Sequence, residues 1–237
     1  MENLRIKASD GSGEFSAYVA TPDTDQTAPA VLVIQEIFGV NHVMRDICDN
    51  LAQNGYMAVC PDLFWRQEEG VDITDQTEKE WDKAFALFNG FNVDKGIDDC
   101  IATLDTIRKM ETSTSLVGSL GFCLGGKLAY LMATRSDIDC SVSYYGVGIE
   151  GLLDEVENID LPLLMHIAAE DKFSSPEAQN KITAAIKDQD YITHHIYDGC
   201  DHAFARVGGE HYNENATRIA NLRTSDFLAT YLSRDAL

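Results

Sequence analysis

With 237 residues, 45% of them hydrophobic and 9% aromatic, the chain is long enough for a sizeable core and short for two large domains, so one domain over 1–237 is expected. Lys and Arg number 18 against 39 Asp and Glu, a formal charge of −21 that repels phosphate backbones and anionic lipid and argues against nucleic-acid and membrane partners. The N-terminal Met1-Glu2-Asn3-Leu4-Arg5 lacks a signal-peptide pattern, no apolar run reaches transmembrane length, and the six cysteines show no C-x-x-C or short disulfide spacing. A cytoplasmic protein with reduced thiols and no structural zinc is the expectation.

Leu4 and Ile6, then Phe15, Ala17 and Val19, alternate around Asp10-Gly11-Ser12-Gly13, which reads as a hairpin at a sheet edge. Ala30–Ile34 is an unbroken β-branched run suited to burial on both faces of a parallel sheet. Asn41 caps a helix reaching about Asn54, where Gly55 stops it, and Met57–Cys60 is a short buried strand. Thr74 or Asp75 opens a helix whose Trp81, Phe85 and Phe88 share a face by their i, i+4, i+7 spacing, and a second helix runs from Val93 to Met110. Strand Leu116–Phe122, helix Leu124–Arg135, strands Ser141–Tyr145 and Leu163–Ala168, helix Pro176–Lys187, strand Ile192–Tyr197 and helix Ala216–Ser233 complete the series. The order is that of an α/β protein with a mostly parallel central sheet flanked by helices. The long loops 145–161 and 198–215 follow strands, where such sheets place ligands.

Gly121-Phe122-Cys123-Leu124-Gly125-Gly126 lies where a buried strand meets a helix and matches the nucleophile-elbow pattern with Cys for Ser. Its glycines allow a sharp turn that presents the sulfur to the dipole and amides of the following helix. Among the six histidines, His202 is the best base, because it sits in a loop just past the last strand. Asp171 holds the corresponding place after the preceding strand and can orient His202, with Glu170 as its local competitor. In chain order Cys123, Asp171 and His202 run nucleophile, acid, base, the order of the α/β-hydrolase fold.

Gln35-Glu36-Ile37-Phe38-Gly39-Val40-Asn41, the Cys123 elbow, Tyr144-Tyr145-Gly146, Glu170-Asp171 and His202-Ala203-Phe204-Ala205-Arg206 together closely resemble the dienelactone hydrolase family, over about residues 12–232. The resemblance implies an α/β-hydrolase domain that opens a lactone or small ester through a Cys123 thioester, with His202 as base and Asp171 as its orienting acid. It implies that the Glu36 carboxylate meets the resting thiol until substrate rearranges it. It also implies an oxyanion hole from the N–H groups of Ile37 and Leu124, and a substrate side of Arg206, Phe38, Trp81, Phe85, Tyr145 and Phe173. No metal or organic cofactor is required.

Family members that act on carboxylated dienelactones are similar in holding the carboxylate with two arginines. Arg206 matches one, while Trp81 stands where the other is expected. An indole in place of a cation favours apolar or aromatic acyl groups. Arg206 either binds substrate or pairs with Glu36, and the chain alone leaves both open. Two other classes fit less well. A class I glutaminase-like amidohydrolase also uses a Cys elbow but carries Glu two residues after the His, where this chain has Phe204. A non-catalytic binding member of the fold would not need all four polar residues. The expected partner is a small ester or lactone, and the expected state a monomer or weak homo-oligomer.

Overall fold

The structure, a computed structural model, describes residues 4–233. It packs as two compact units, Met1–Val117 and Gly118–Leu237.

In the first unit β1 (Leu4–Lys7), β2 (Glu14–Ala20), β3 (Ala28–Ile34) and β4 (Met57–Pro61) lie in the order β1-β2-β4-β3. The hairpin pair β1–β2 and the pair β2–β4 are antiparallel, and β3–β4 is parallel. Of β3 only Pro29 is not fully buried, as its unbroken apolar run requires. α1 (His42–Gln53) crosses between β3 and β4; Asn41 caps it by accepting the Met44 N–H at 3.2 Å, and Gly55 turns the chain at φ +90°. α2 (Glu78–Asn89) and α3 (Val93–Arg108) follow.

α2 starts later than Thr74 or Asp75. Thr74 is occupied instead, its N–H and hydroxyl both donating to Glu80 Oε1 at 2.9 Å, and the cap is Thr77. Its buried side chains are Ala84 and Leu87, whereas Phe85 is exposed, so the aromatic spacing marks a lateral stripe beside the core face.

A polar knot of this unit reaches the hairpin turn at Asp10. Fully buried Asp99 accepts from the Trp65 indole at 2.8 Å and from Arg66 Nε and Nη2 at 3.0 and 2.7 Å. Arg66 reaches on to Asp10 at 3.1 Å, as does Lys95 at 2.9 Å. A carboxylate this deep is tolerated because each oxygen has a donor and its charge a bidentate partner.

The second unit orders β5 (Ser113–Phe122), whose first residues belong to the preceding unit, β6 (Cys140–Tyr144), β7 (Leu163–Ala168) and β8 (Ile192–Tyr197) consecutively, all parallel. α4 (Leu124–Arg135) crosses from β5 to β6 and is buried almost all round, which explains its run of Gly, Ala and Leu. α5 (Pro176–Ile186) joins β7 to β8, and α6 (Glu214–Tyr231) starts on an Asn213 cap. Two expectations are corrected. β6 stops at Tyr144 because Tyr145 takes φ +37°, outside the strand region. The following loop carries two short 3-10 helices, Ile149–Gly151 and Leu153–Asn158.

A buried polar relay fastens β6, β7 and β8 to α6. His166 Nδ1 meets the Tyr197 hydroxyl at 2.8 Å and Nε2 meets Thr224 Oγ1 at 3.0 Å, while the Tyr144 hydroxyl lies 2.7 Å from the same Oγ1. Burial, with the nearby His195 and Arg223 adding, pushes the His166 pKa down to about 3, so the ring is neutral.

Candidate active site

Cys123 is the N-cap of α4 with φ 57° and ψ −114°, a backbone conformation that costs a β-carbon-bearing residue about 1–3 kcal/mol. Its surroundings over-determine it. The Cys123 N–H donates to the Tyr144 carbonyl at 3.1 Å, and its own carbonyl accepts the N–H of Lys127 at 3.1 Å and of Val147 at 3.4 Å. A Cβ on Gly121 would collide with the Gly125 carbonyl oxygen, and one on Gly126 with the carbonyl of Tyr144, so only glycine lets strand, bend and helix approach this closely. No side chain caps α4, which leaves its positive N-terminal end to whatever sits at the Cys123 side chain.

The carboxylate comes from the loop after β7. Asp171 is buried, and its Oδ1 accepts the Phe173 N–H at 2.8 Å. Its Oδ2 lies 2.8 Å from His202 Nδ1. Glu170 is exposed, so of the two neighbouring carboxylates Asp171 is the one on the imidazole. Gln179 of α5 braces this loop by donating to the Ser174 carbonyl at 2.9 Å.

The imidazole comes from the loop after β8, which turns at Gly199 (φ +69°) and again at Ala203 (φ +61°). The His202 ring is buried and flanked edge-on by Tyr145 and Phe173, with centroids at 5.1 and 4.9 Å. Phe173 is half exposed, and Tyr145 is buried. The Cys123 sulfur is close enough to the ring to act on its charge, while the buried Nε2 has no hydrogen-bond partner among the described residues. Burial works against a charge on His202, but Cys123 and Asp171 outweigh it and raise its pKa from 6.5 to about 10. The second unit thus brings together a sulfur, an imidazole and a carboxylate, in a sequence able to store and move one proton. Leu124 opens α4 immediately after the sulfur, and Arg206 is buried four residues past His202.

In the first unit Glu36, Ile37 and Phe38 are buried directly after β3. The segment is held by Gln35, whose Oε1 accepts the Leu63 N–H at 3.0 Å, and by Gly39, where a Cβ would strike the Val71 carbonyl. Phe38, Trp81 and Phe85 form a continuous aromatic run: Phe38 meets Trp81 edge-on at 5.1 Å and Trp81 stacks on Phe85 at 5.4 Å. The Trp81 indole N–H is anchored on the Asp75 carbonyl at 2.9 Å.

A model of the Dienelactone hydrolase family matches residues 15–232. The chain belongs to this family. Among curated members, a protein of Azospirillum brasilense named "Putative carboxymethylenebutenolidase" is 50% identical, with 98% of this chain and all of that one covered. A "Carboxymethylenebutenolidase" of Pseudomonas putida is 36% identical, with 98% of both chains covered. A crystal structure from Klebsiella pneumoniae described as a "Putative Dienelactone Hydrolase" superposes with TM-score 0.83 at 24% identity, over 97% of this chain and 99% of that one. The fold is that of the α/β hydrolases.

Sequence reasoning passed over one cation of this dienelactone hydrolase elbow. Lys127 is half buried one turn along α4 from Cys123, and its Nζ lies against Gly148. Burial pushes its pKa down, while the Glu150 carboxylate and Cys123 pull the other way. The i+4 spacing from the elbow was the available signal, since a helical side chain leans back towards the N-terminus. Among the described residues no cluster of His, Cys, Asp and Glu could hold a metal ion, and no helix is long and apolar enough to cross a membrane.

Proposed function

We propose that the chain is a thiol-dependent hydrolase of the carboxymethylenebutenolidase type, which opens a lactone or a small carboxylic ester. The observation that carries this reading is the strained Cys123 at the uncapped start of α4, beside an imidazole held 2.8 Å from a buried carboxylate. Family membership supports the substrate class. With substrate bound, the proton of the Cys123–His202 pair sits on the imidazole, whose charged form the sulfur and Asp171 favour, and the Cys123 thiolate attacks the ester carbonyl carbon. The carbonyl electrons move to oxygen, where the Leu124 N–H at the helix start receives the charge; such a donor contributes about 3–4 kcal/mol to the transition state. The oxyanion collapses, the C–O bond breaks towards an enolate or alkoxide that takes the proton from His202, and an acyl-thioester remains. His202 then deprotonates a water, which attacks the thioester and returns the thiolate. Asp171 holds the imidazole tautomer with the proton on Nδ1, so that Nε2 can accept.

The roles of Glu36 as partner of the resting thiol, of Ile37 as second oxyanion donor, and of Phe38, Trp81, Phe85, Tyr145, Phe173 and Arg206 towards substrate join this proposal through the family resemblance. So does a cytoplasmic setting, which six unpaired cysteines support, and action as a monomer or weak homo-oligomer. The test is hydrolysis of p-nitrophenyl acetate and of a panel of lactones, with and without a carboxylate, by wild type and Cys123→Ala. Loss of all turnover in the variant is expected; undiminished turnover refutes the thioester route.

A further inference from the structure

Asp171 and His202 come from separate loops, and neither loop is part of a strand or helix where they meet. Their 2.8 Å contact alone does not fix them, because a single hydrogen bond leaves both backbones free to drift together. A third side chain joins the two backbones directly. Asp201 Oδ1 accepts the N–H of Lys172, next to the acid, at 3.1 Å, and the N–H of His202 itself at 2.7 Å. One oxygen thus bridges the two catalytic loops one residue from the acid and at the base. Its second oxygen, Oδ2, is 2.8 Å from Lys172 Nζ and 3.7 Å from His211 Nε2, and the Asp201 side chain is largely buried while Lys172 is exposed. The charge is therefore met from the solvent side, and Oδ1 is left to the backbone.

We infer that Asp201 is a positioning residue of the hydrolase: its Oδ1 clamps the Lys172 and His202 amides together and so sets the register of imidazole against carboxylate. The inference rests on the assignment of Asp171 and His202 as acid and base. Asp201 touches neither the sulfur nor the imidazole ring through its own side-chain oxygens; it acts through the main chain. The Glu170 N–H to Cys200 carbonyl bond at 2.9 Å ties the same two loops on the far side, which makes the Asp201 bridge the second point of a two-point clamp. With one point gone the loops can still associate but can pivot.

Two substitutions separate acceptor geometry from charge. Asp201→Asn keeps an oxygen at the bridging place and removes the charge. Asp201→Glu keeps the charge and, one methylene longer, cannot hold its oxygen on both amides. A displacement of the order of 1 Å in a catalytic group costs up to about 100-fold in rate, so Asp201→Glu is expected to lower kcat about 10- to 100-fold with KM little changed. Asp201→Asn is expected to recover most of that loss. The strongly downfield Nδ1 proton of the His202–Asp171 bond, read by NMR, should persist in Asp201→Asn and broaden in Asp201→Glu. Asp201→Asn is nearly isosteric and keeps the oxygen that accepts both amide N–H groups, so its fold can be verified by its melting curve. Equal losses in the two variants, or an Asp201→Glu enzyme with wild-type kcat and an unbroadened proton, overturn the inference. The NMR arm reads the clamp without turnover: if His202→Ala retains activity the acid–base assignment falls, while the proton signal still decides whether Asp201 holds the pair.

Discussion

Asp171→Asn isolates the contact between acid and base. The substituted side chain is nearly the same size and its oxygen can still accept the Phe173 N–H that now reaches Oδ1 at 2.8 Å, so the loop should keep its path. What changes is the atom facing His202 Nδ1, which becomes an N–H donor in place of a carboxylate oxygen 2.8 Å away. Nδ1 must then accept, the ring proton moves to Nε2, and the nitrogen that should take the thiol proton is already occupied. Both partners are buried, with side-chain exposures of 7% and 3%, so solvent cannot replace the lost charge. In the Ser-His-Asp template the same carboxylate-to-amide change costs about 10⁴ in kcat through the wrong tautomer, so kcat should fall here by roughly 10²- to 10⁴-fold. The same change shows in stability. His202 is held up to about 10 from 6.5, so its contribution is fully present below pH 6.5 and is lost as the pH rises through about 10. Without the carboxylate, that alkaline loss should begin at lower pH. Steady-state hydrolysis of p-nitrophenyl acetate and urea midpoints between pH 6 and 10 are the measurements. A variant within a few-fold of wild type, or an equal loss in Glu170→Gln, refutes the reasoning.

His166→Gln keeps a donor and an acceptor for Tyr197 and Thr224 but cannot titrate. Wild-type His166 is neutral when folded, with its pKa lowered from 6.5 to about 3, so the unfolded chain binds the extra proton and stability falls as the pH drops through that window. Against wild type, the variant's stability should fall less steeply with acid, by at most about 1.4 kcal/mol per pH unit; parallel curves in urea titrations contradict this. Asp99→Ala leaves Arg66 and the Trp65 indole without their shared acceptor and should cost about 3–5 kcal/mol in chemical denaturation, a loss below 1 kcal/mol showing that the knot is solvated away. Trp81→Arg places a cation beside Phe38 and Phe85 and should raise kcat/KM for carboxylated over neutral lactones by about tenfold, the effect of roughly 1.4 kcal/mol. An unchanged ratio removes residue 81 from the substrate side.

Much of this molecule could be read from its chain because its signals are local. The limits of helix Leu124–Arg135 and of strands Leu163–Ala168 and Ile192–Tyr197 match the expectation residue for residue, since each is a pattern bounded by its own breakers. The errors arise where a tertiary partner overrides a local rule. Thr74 is a good cap by type, but Glu80 occupies it and Thr77 caps instead. Tyr145 continues a β-rich run, yet its N–H is drawn to the His166 carbonyl at 2.8 Å and its φ turns positive. At the site, the elbow was legible because glycines at fixed offsets serve one bend. Asp201 was not, because an Asp beside a His in a loop has no pattern to distinguish it until a loop 29 residues earlier in the chain is seen to share its oxygen.

The groups proposed to be catalytic are therefore held by two different means, with different consequences for change. Cys123 is placed by main chain alone: a parallel strand pair, a strained φ, and glycines whose neighbours leave no room for a methyl group. Such a device has no intermediate settings, because the backbone cannot be altered by one atom without moving strand and helix together. Asp171 and His202 are placed by side chains that bond to main chain, Gln179 on the Ser174 carbonyl and Asp201 on the Lys172 and His202 amides. Those bonds can be lengthened, exchanged or recharged one at a time while the loops stay attached to β7 and β8. This division lets the imidazole be tuned to leaving groups of differing basicity while the sulfur stays in place.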